Sequence, residues 1–242
     1  GTVLKPLSQN PGFGILPLIN GTIISSVIAM LVAGPIGLMA AIYLSEYATD
    51  KVRKVLKPLL EILAGIPTIV YGFFAFTFVT PIIRSIFPTV EATNILSPGL
   101  VMGVMIIPMI ASLSEDAMSS VPNAIREGSL GMGATRLETT FKVVIPAAIS
   151  GIIASFVLGI SRAIGETMIV TIASGSSKNF TFDITQSMQT MTAYIVEVAG
   201  GEAAAGTTIY YSLYAVAMTL FVFTLVMNLL ARFVSRKFRE EY

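Results

Sequence analysis

The chain alternates between long stretches without charge and short stretches dense in it. Pro6 to Ser45 carries no charged residue, and neither do Ile62 to Ile83, Ala92 to Ser114, Val143 to Ser161 or Thr207 to Ala231. A helix needs about 20 predominantly apolar residues to cross a bilayer, and each run supports one such span. The period-two alternation of an outer-membrane barrel strand is absent, so the runs predict helices. Five spans follow, at 15–45, 58–82, 98–116, 141–174 and 207–233. The fold class expected is an all-α polytopic membrane helical bundle, a single transmembrane domain over 1–242. No solenoid-length repeat and no low-complexity linker divides it.

The charged stretches set the orientation, because short cytoplasmic loops carry the excess of Lys and Arg. Lys51, Arg53, Lys54 and Lys57 precede the second span. Arg126, Arg136 and Lys142 lie between the third and fourth, and Arg232, Arg236, Lys237 and Arg239 end the chain. An odd number of spans puts these three segments on one side, with eleven of the fifteen basic residues. That side is expected to be cytoplasmic, and the protein to be a multi-pass component of a prokaryotic plasma (inner) membrane. The 85–97 and 175–206 loops then lie outside. Within 175–206, Ile184, Met188, Met191, Tyr194, Ile195 and Val198 fall at helical spacing. They predict an amphipathic helix on the outer surface or dipping into the pore mouth.

Composition narrows the function. Apolar residues make up 54% of the chain and charged ones 12%, against roughly 25% charged in a soluble domain. A net charge of +1 gives no field for nucleic acid. Without Cys or His there is no disulfide, no thiol catalysis and no ordinary zinc or other metal site. The spans hold no facing carboxylates, and no base is placed to activate a Ser or Thr, which argues against an intramembrane enzyme. Glycine and proline recur inside the spans, at Gly34-Pro35, Gly65-Ile66-Pro67, Gly103, Pro108 and Pro146. Close helix contact through small residues accounts for most of them. Thr68 and Tyr71, after the second of these breaks, are expected to pack rather than to line a pore. Glu61 is expected to snorkel from the start of the second span.

The 115–142 segment predicts a helix, a glycine turn and a second helix. Ser120 is placed to cap a helix with Pro122 in its first turn, Gly131 and Gly133 end that helix, and Thr135 to Lys142 leads into the next span. Glu115 and Asp116 are expected to be solvated or paired with Arg126. Ile125, Leu130 and Met132 are exposed on this reading and need cover, from headgroups or from a protein.

The same segment resembles the loop of import-type ABC transporter permeases. That motif runs Glu, two small residues, three of any kind, Gly, nine of any kind, then aliphatic, any, aliphatic, Pro. Here Glu127-Gly128-Ser129 is followed by Gly133-Ala134 and by Val143-Val144-Ile145-Pro146 at the same spacing, with Gly in the second place. The resemblance implies a coupling helix, formed by Glu127, Gly128, Ser129, Gly133, Ala134, Ile145 and Pro146, that docks on a cytoplasmic ATPase. No Gly-rich loop ending in Gly-Lys-Ser/Thr occurs in the chain. ATP and magnesium are therefore expected on that ATPase and no cofactor on this chain. "EILAGIPTIVYGFFAF" (61–76), "MIIPMIASLSEDAM" (105–118) and "GISRAIGETMIV" (159–170) are further similar to the phosphate-specific permease subunits of the PstC type. That family has a MetI-like fold of six spans, so its first span would precede Gly1. It works as a heterodimer with a PstA-like sister subunit, on a PstB-like ATPase dimer, fed by an external PstS-like phosphate-binding protein.

Two charges interrupt the fourth span. An Arg at a helix centre costs about 2.5–3.5 kcal/mol on insertion scales, so Arg162 is expected to face the bundle interior. Glu166, four residues on, would share its helix face. Arg offers a planar fork of donors suited to a tetrahedral oxyanion. Glu166 would orient it and accept a hydrogen bond from the P–OH that phosphate keeps and sulfate lacks. The competing account is an ion pair that serves only the bundle. Ile145-Pro146 and Arg162 are placed on one helix. The rival functions are a permease for sulfate, molybdate or phosphonate, and a gradient-driven secondary transporter.

Overall fold

The computed structural model describes residues 1–6, 12–201 and 203–237; Arg239 of the basic tail lies outside them. A two-residue strand β1 (Leu4–Lys5) pairs antiparallel with β2 (Gly12–Phe13). Among the described residues everything else of regular form is helical: α1 (Leu16–Ile42), α2 (Asp50–Gly65), α3 (Thr68–Phe74), α4 (Thr80–Ile86), α5 (Leu96–Ser119), α6 (Asn123–Gly131), α7 (Arg136–Thr139), α8 (Ile145–Ala147), α9 (Ile149–Ile164), α10 (Met168–Ala173), α11 (Met191–Gly200) and α12 (Thr208–Lys237). Wider turns carry α1 on to Tyr47 and join α3 to α4. Four continuous helical stretches are long and apolar enough to cross a membrane: Leu16–Tyr47, Thr68–Ile86, Leu96–Ser119 and Thr208–Lys237. A fifth arises if Arg136–Ala147 and Ile149–Ile164, bent by 71° at Ala148, count as one span.

The core sits between α1 and α5, where small residues let the two backbones close up. A side chain added at Gly103 would meet Val32 Cβ at 2.7 Å and the Ala29 carbonyl at 2.8 Å, and one at Gly99 would meet Ile28 at 2.7 Å. Residues 99 and 103 share a face one turn apart, as do Ile28 and Val32, so branched side chains of α1 seat over the glycines of α5. Tyr71, Met102, Ile106, Ile110 and Ile169 complete the buried cluster. Ser114 and Ser155 share a 2.8 Å hydrogen bond where α5 meets α9. α12 packs along α9 and α11 and buries only Val216 fully.

Three sequence expectations change. The second span does not start at 58. α2 is a separate amphipathic helix with no fully buried residue, capped by Thr49, whose Oγ1 accepts from the Val52 amide at 3.4 Å. It stops at Ile66 because the residue before a proline is driven out of the helical region, and Ile66 is extended with ψ 129°. Glu61 therefore lies on α2. The fourth span is not one helix either: it bends at Ala148 and breaks again after Ile164. Ile145-Pro146 and Arg162 thus sit on different helices. In the 175–206 segment the helix is confined to Met191–Gly200, and its first turn, Met191 to Tyr194, is buried rather than lying on a surface. The residues before it run extended into the bundle, where the Met191 amide donates to Thr22 Oγ1 at 3.0 Å and the Gln189 carbonyl rests against Gly21. An Asp183 turn starts this stretch, and the Thr185 hydroxyl and amide hold its carboxyl below the usual carboxylate range.

Candidate functional site

A cleft of about 260 Å³ opens between α2, α5 and α9. Lys57 and Glu61 of α2, Pro108, Ser112 and Glu115 of α5, and Arg162 of α9 line it. α2 delivers its two charges because Val52, Leu56, Leu60 and Leu63 turn one stripe toward the bundle, and residues 57 and 61 flank that stripe. Glu115 is 1% exposed. Lys57 Nζ stands 2.6 Å from its Oε2, and Arg53 lies 3.9 Å from Oε1. This pair fastens α2 to α5. Of the two residues expected to be solvated or paired with Arg126, Asp116 is exposed and lies 3.9 Å from Lys57, whereas Glu115 is buried, and neither pairs with Arg126. Among the described residues, no ion pair or hydrogen bond engages Arg162. Its guanidinium is exposed at the cleft with its donors free.

Glu166 takes a different place. α9 ends at Ile164, so residues 162 and 166 do not share a helix face. The Glu166 carboxylate turns to the next helix, where Oε1 accepts from the amides of Met168 at 3.0 Å and Ile169 at 3.3 Å. An anion at these free amides satisfies donors that a helix start leaves open. The Glu166 carbonyl accepts from the Thr192 hydroxyl at 2.7 Å, so the buried start of α11 braces the break. On the other side α3 closes on α10 at Gly72, where an added side chain would meet Ile172 at 2.8 Å. Tyr71 donates from its hydroxyl to the Leu63 carbonyl at 2.6 Å, capping α2 across the Ile66-Pro67 break.

The 115–142 loop folds as two short helices joined by a tight turn. The Gly133 amide donates to the Leu130 carbonyl at 3.0 Å and the Ala134 amide to the Ser129 carbonyl at 3.2 Å. With Gly133 at φ +91°, this is the pair of bonds by which a left-handed residue closes a helix. Thr135 then starts α7 at once. Its Oγ1 accepts from the Glu138 amide at 3.2 Å, and Glu138 Oε2 accepts from the Thr135 amide at 2.9 Å, a reciprocal cap. Ser129 and Thr139 share a 2.9 Å hydroxyl bond across the turn. Ser120, expected to start α6, instead ends α5, and Pro122 stands at the cap position. Glu127 and Gly128 face outward, and a side chain at 128 would meet nothing within 4 Å. Met132 is 91% exposed. Ile145 and Pro146 lie apart from this turn, in α8 at the bend.

Arg126 ties the loop to the bundle. It grips Glu46 through two nitrogens, at 3.2 and 3.0 Å, and donates to the carbonyls of Val121 and Met118 at 2.6 Å each. Arg53 does the same for the end of α1, donating to the Leu44 carbonyl at 2.6 Å. Cations near the last carbonyls of a helix complete bonds that the helix cannot make itself. Neither grip is visible from spacing along the chain, since each joins segments that only the fold brings together.

The sequence pattern of binding-protein-dependent transport system inner membrane components matches residues 33–240. The chain belongs to this family. It is an ABC importer permease, a multi-pass inner-membrane component. It is 34% identical to the probable ABC transporter permease protein YqgH of Bacillus subtilis, over 96% of this chain and 75% of that protein. It is also 34% identical to the phosphate transport system permease protein PstC of Mesorhizobium japonicum, over 92% of this chain and 73% of that one. Its fold is similar to that of a chain of the MetNI methionine ABC transporter solved in inward-facing conformations. There the TM-score is 0.70 at 17% identity, covering 94% of this chain and 95% of the other.

Proposed function

We propose that this permease carries inorganic phosphate, delivered by an external binding protein, along a path that it completes with a sister permease subunit. The 115–142 loop, which carries Arg126, Arg136 and Lys142, and the basic tail face the cytoplasm. There α6 and its glycine turn enter a groove on a partner ATPase, which holds ATP and magnesium. The likeness to PstC supports the substrate, and Pst-type partners follow from it. Arg162 carries the reading: a guanidinium without an ion pair among the described residues stands in a cleft at mid-bundle. An exposed cation in a cleft, which no carboxylate among the described residues neutralises, attracts an anion, and its fork suits tetrahedral oxygens. Glu61 shares the cleft and accepts a hydrogen bond from the protonated oxygen of phosphate, a role that the cap at Glu166 leaves open. Lys57 is held by Glu115 and serves to fix α2.

Force enters through the loop. Arg126 links α6 to the end of α1, and the bend at Ala148 turns motion of α7 and α8 into motion of α9, which carries Arg162. The test is phosphate uptake by the assembled complex with Arg162→Ala and Arg162→Lys. Loss of charge-assisted bonds worth about 1.5–3 kcal/mol lowers uptake by about 10- to 100-fold for the Ala variant. The Lys variant, which keeps the charge and loses the fork, falls between. Unchanged uptake by Arg162→Ala in a complex that still co-purifies with its ATPase would remove Arg162 from the path.

A further inference from the structure

A groove of about 700 Å³ runs between α9 and α12, away from the Arg162 cleft. Its upper walls are Val157 and Leu158 of α9 and Leu225 and Leu229 of α12, and the small side chain of Ala154 leaves it open. Along α12 the same face then changes character, because Arg232 and Arg236 follow Leu225 and Leu229 at helical spacing. From Leu225 to Arg232 is about 10 Å along the axis at 1.5 Å per residue. The arginines lie at the end of the bundle next to the coupling loop, since Ser235 Oγ donates to the Ser150 carbonyl at the start of α9. Among the described residues neither arginine has an ion pair. The other side of the same helix pair offers a contrast. There a groove of about 180 Å³, lined by Val157, Ile160, Leu230 and Val234 among others, has no charged residue. The Ser161–Asn228 bond, 2.6 Å, lies where the two helices meet.

We infer that the first groove is a binding site for one anionic phospholipid, its acyl chain along Leu225 and Leu229 and its phosphodiester between Arg232 and Arg236. The charge pattern selects the occupant. A second protein helix would cover the apolar stretch but leave two unpaired guanidinium groups at its end, whereas a lipid with a negative headgroup matches both halves at the depths where they occur. The purely apolar groove beside it accepts an acyl chain without preference for the headgroup. Because α9 forms one wall, the bound lipid holds the helix that carries Arg162 at the point where α12 touches it.

The full chain in its complex is incorporated into vesicles of equal parts phosphatidylcholine and phosphatidylglycerol, extracted, and the lipids retained are counted by native mass spectrometry. The wild type retains phosphatidylglycerol in preference to phosphatidylcholine. Each arginine near the headgroups contributes about fivefold, so Arg232→Gln with Arg236→Gln abolishes a preference of about 25-fold. Ala154→Leu fills the groove without altering charge and lowers retention of phosphatidylglycerol. Washing with inorganic phosphate does not displace the lipid, because free phosphate has no acyl chain to seat. An unchanged preference in the double variant overturns the inference, as does displacement by inorganic phosphate alone. Cross-linking of a Leu229→Cys chain to another protein chain, which would show the groove covered by protein, also overturns it. The readout does not depend on what the permease transports.

Discussion

Arg162 and Glu166 stand four residues apart and are put to different uses by one break in a helix. Had α9 continued, the pair would have neutralised itself, and a neutral pair has little to offer an anion. The break after Ile164 turns Glu166 to the amides of Met168 and Ile169 and leaves Arg162 at the cleft. Two outcomes separate the carboxylates. Glu166→Ala removes the cap and costs about 1–2 kcal/mol, seen as a lower midpoint of thermal unfolding in detergent. Glu166→Gln keeps a carbonyl acceptor and leaves both the midpoint and the preference for phosphate over sulfate nearly unchanged. Glu61→Gln acts on that preference instead, measured as sulfate competition in uptake by the assembled complex. If Glu166→Gln shifts competition and Glu61→Gln does not, the two roles are exchanged.

At the scale of elements, the 115–142 loop holds its turn because the end of α6 and the start of α7 are both closed, by Gly133 and by the reciprocal cap of Thr135 and Glu138. Gly133 can hold φ +91° without strain, and a β-carbon there costs about 1–2 kcal/mol. Gly133→Ala therefore opens the turn between α6 and α7, and the complex retains less ATPase on co-purification. Arg126→Ala breaks the link to Glu46 and frees the Met118 and Val121 carbonyls. The ATPase still binds, but hydrolysis no longer drives uptake, so phosphate moved per ATP falls severalfold. Gly131, Gly133 and the Glu127 to Pro146 spacing made this loop readable from the sequence, because a turn residue announces its backbone directly. The separate helix α2 was also readable. Val52, Val55, Leu56, Leu59, Leu60 and Leu63 recur at intervals of three and four, and Ile66 precedes a proline. Counting uncharged runs hid it, since Ile62 to Gly65, the last turn of α2, joins without a charge onto the apolar stretch that follows. The bend at Ala148 was signalled only in part: Pro146, two residues before it, opens the hydrogen-bond ladder, but nothing in the local sequence sets the angle at which α8 meets α9.

At the scale of the whole molecule, run lengths showed that the chain is polytopic but not where the second and fourth spans break, and the loop's spacing pointed to the family, because bilayer thickness and a motif's spacing are both written along the chain. Contacts between distant segments did not follow. Lys57 with Glu115 and Arg126 with Glu46 depend on which helix ends adjoin, and charge spacing does not carry that. What emerges is a set of spans around the α1–α5 core, a cleft whose Arg162 has no ion pair among the described residues, and a loop fastened to the end of α1 at Glu46. The helix α12 is almost wholly uncovered, with 6% of its apolar stretch buried. The central claim is that this assembly moves phosphate at the expense of ATP on a partner. The most direct measurement is uptake of labelled phosphate into proteoliposomes holding the permease, its sister subunit, the ATPase and the binding protein, with and without ATP, in the presence of equimolar sulfate, molybdate or phosphonate. The account predicts accumulation that requires ATP and that none of the three anions suppresses. Accumulation without ATP, or suppression by one of those anions as complete as by unlabelled phosphate, would contradict it.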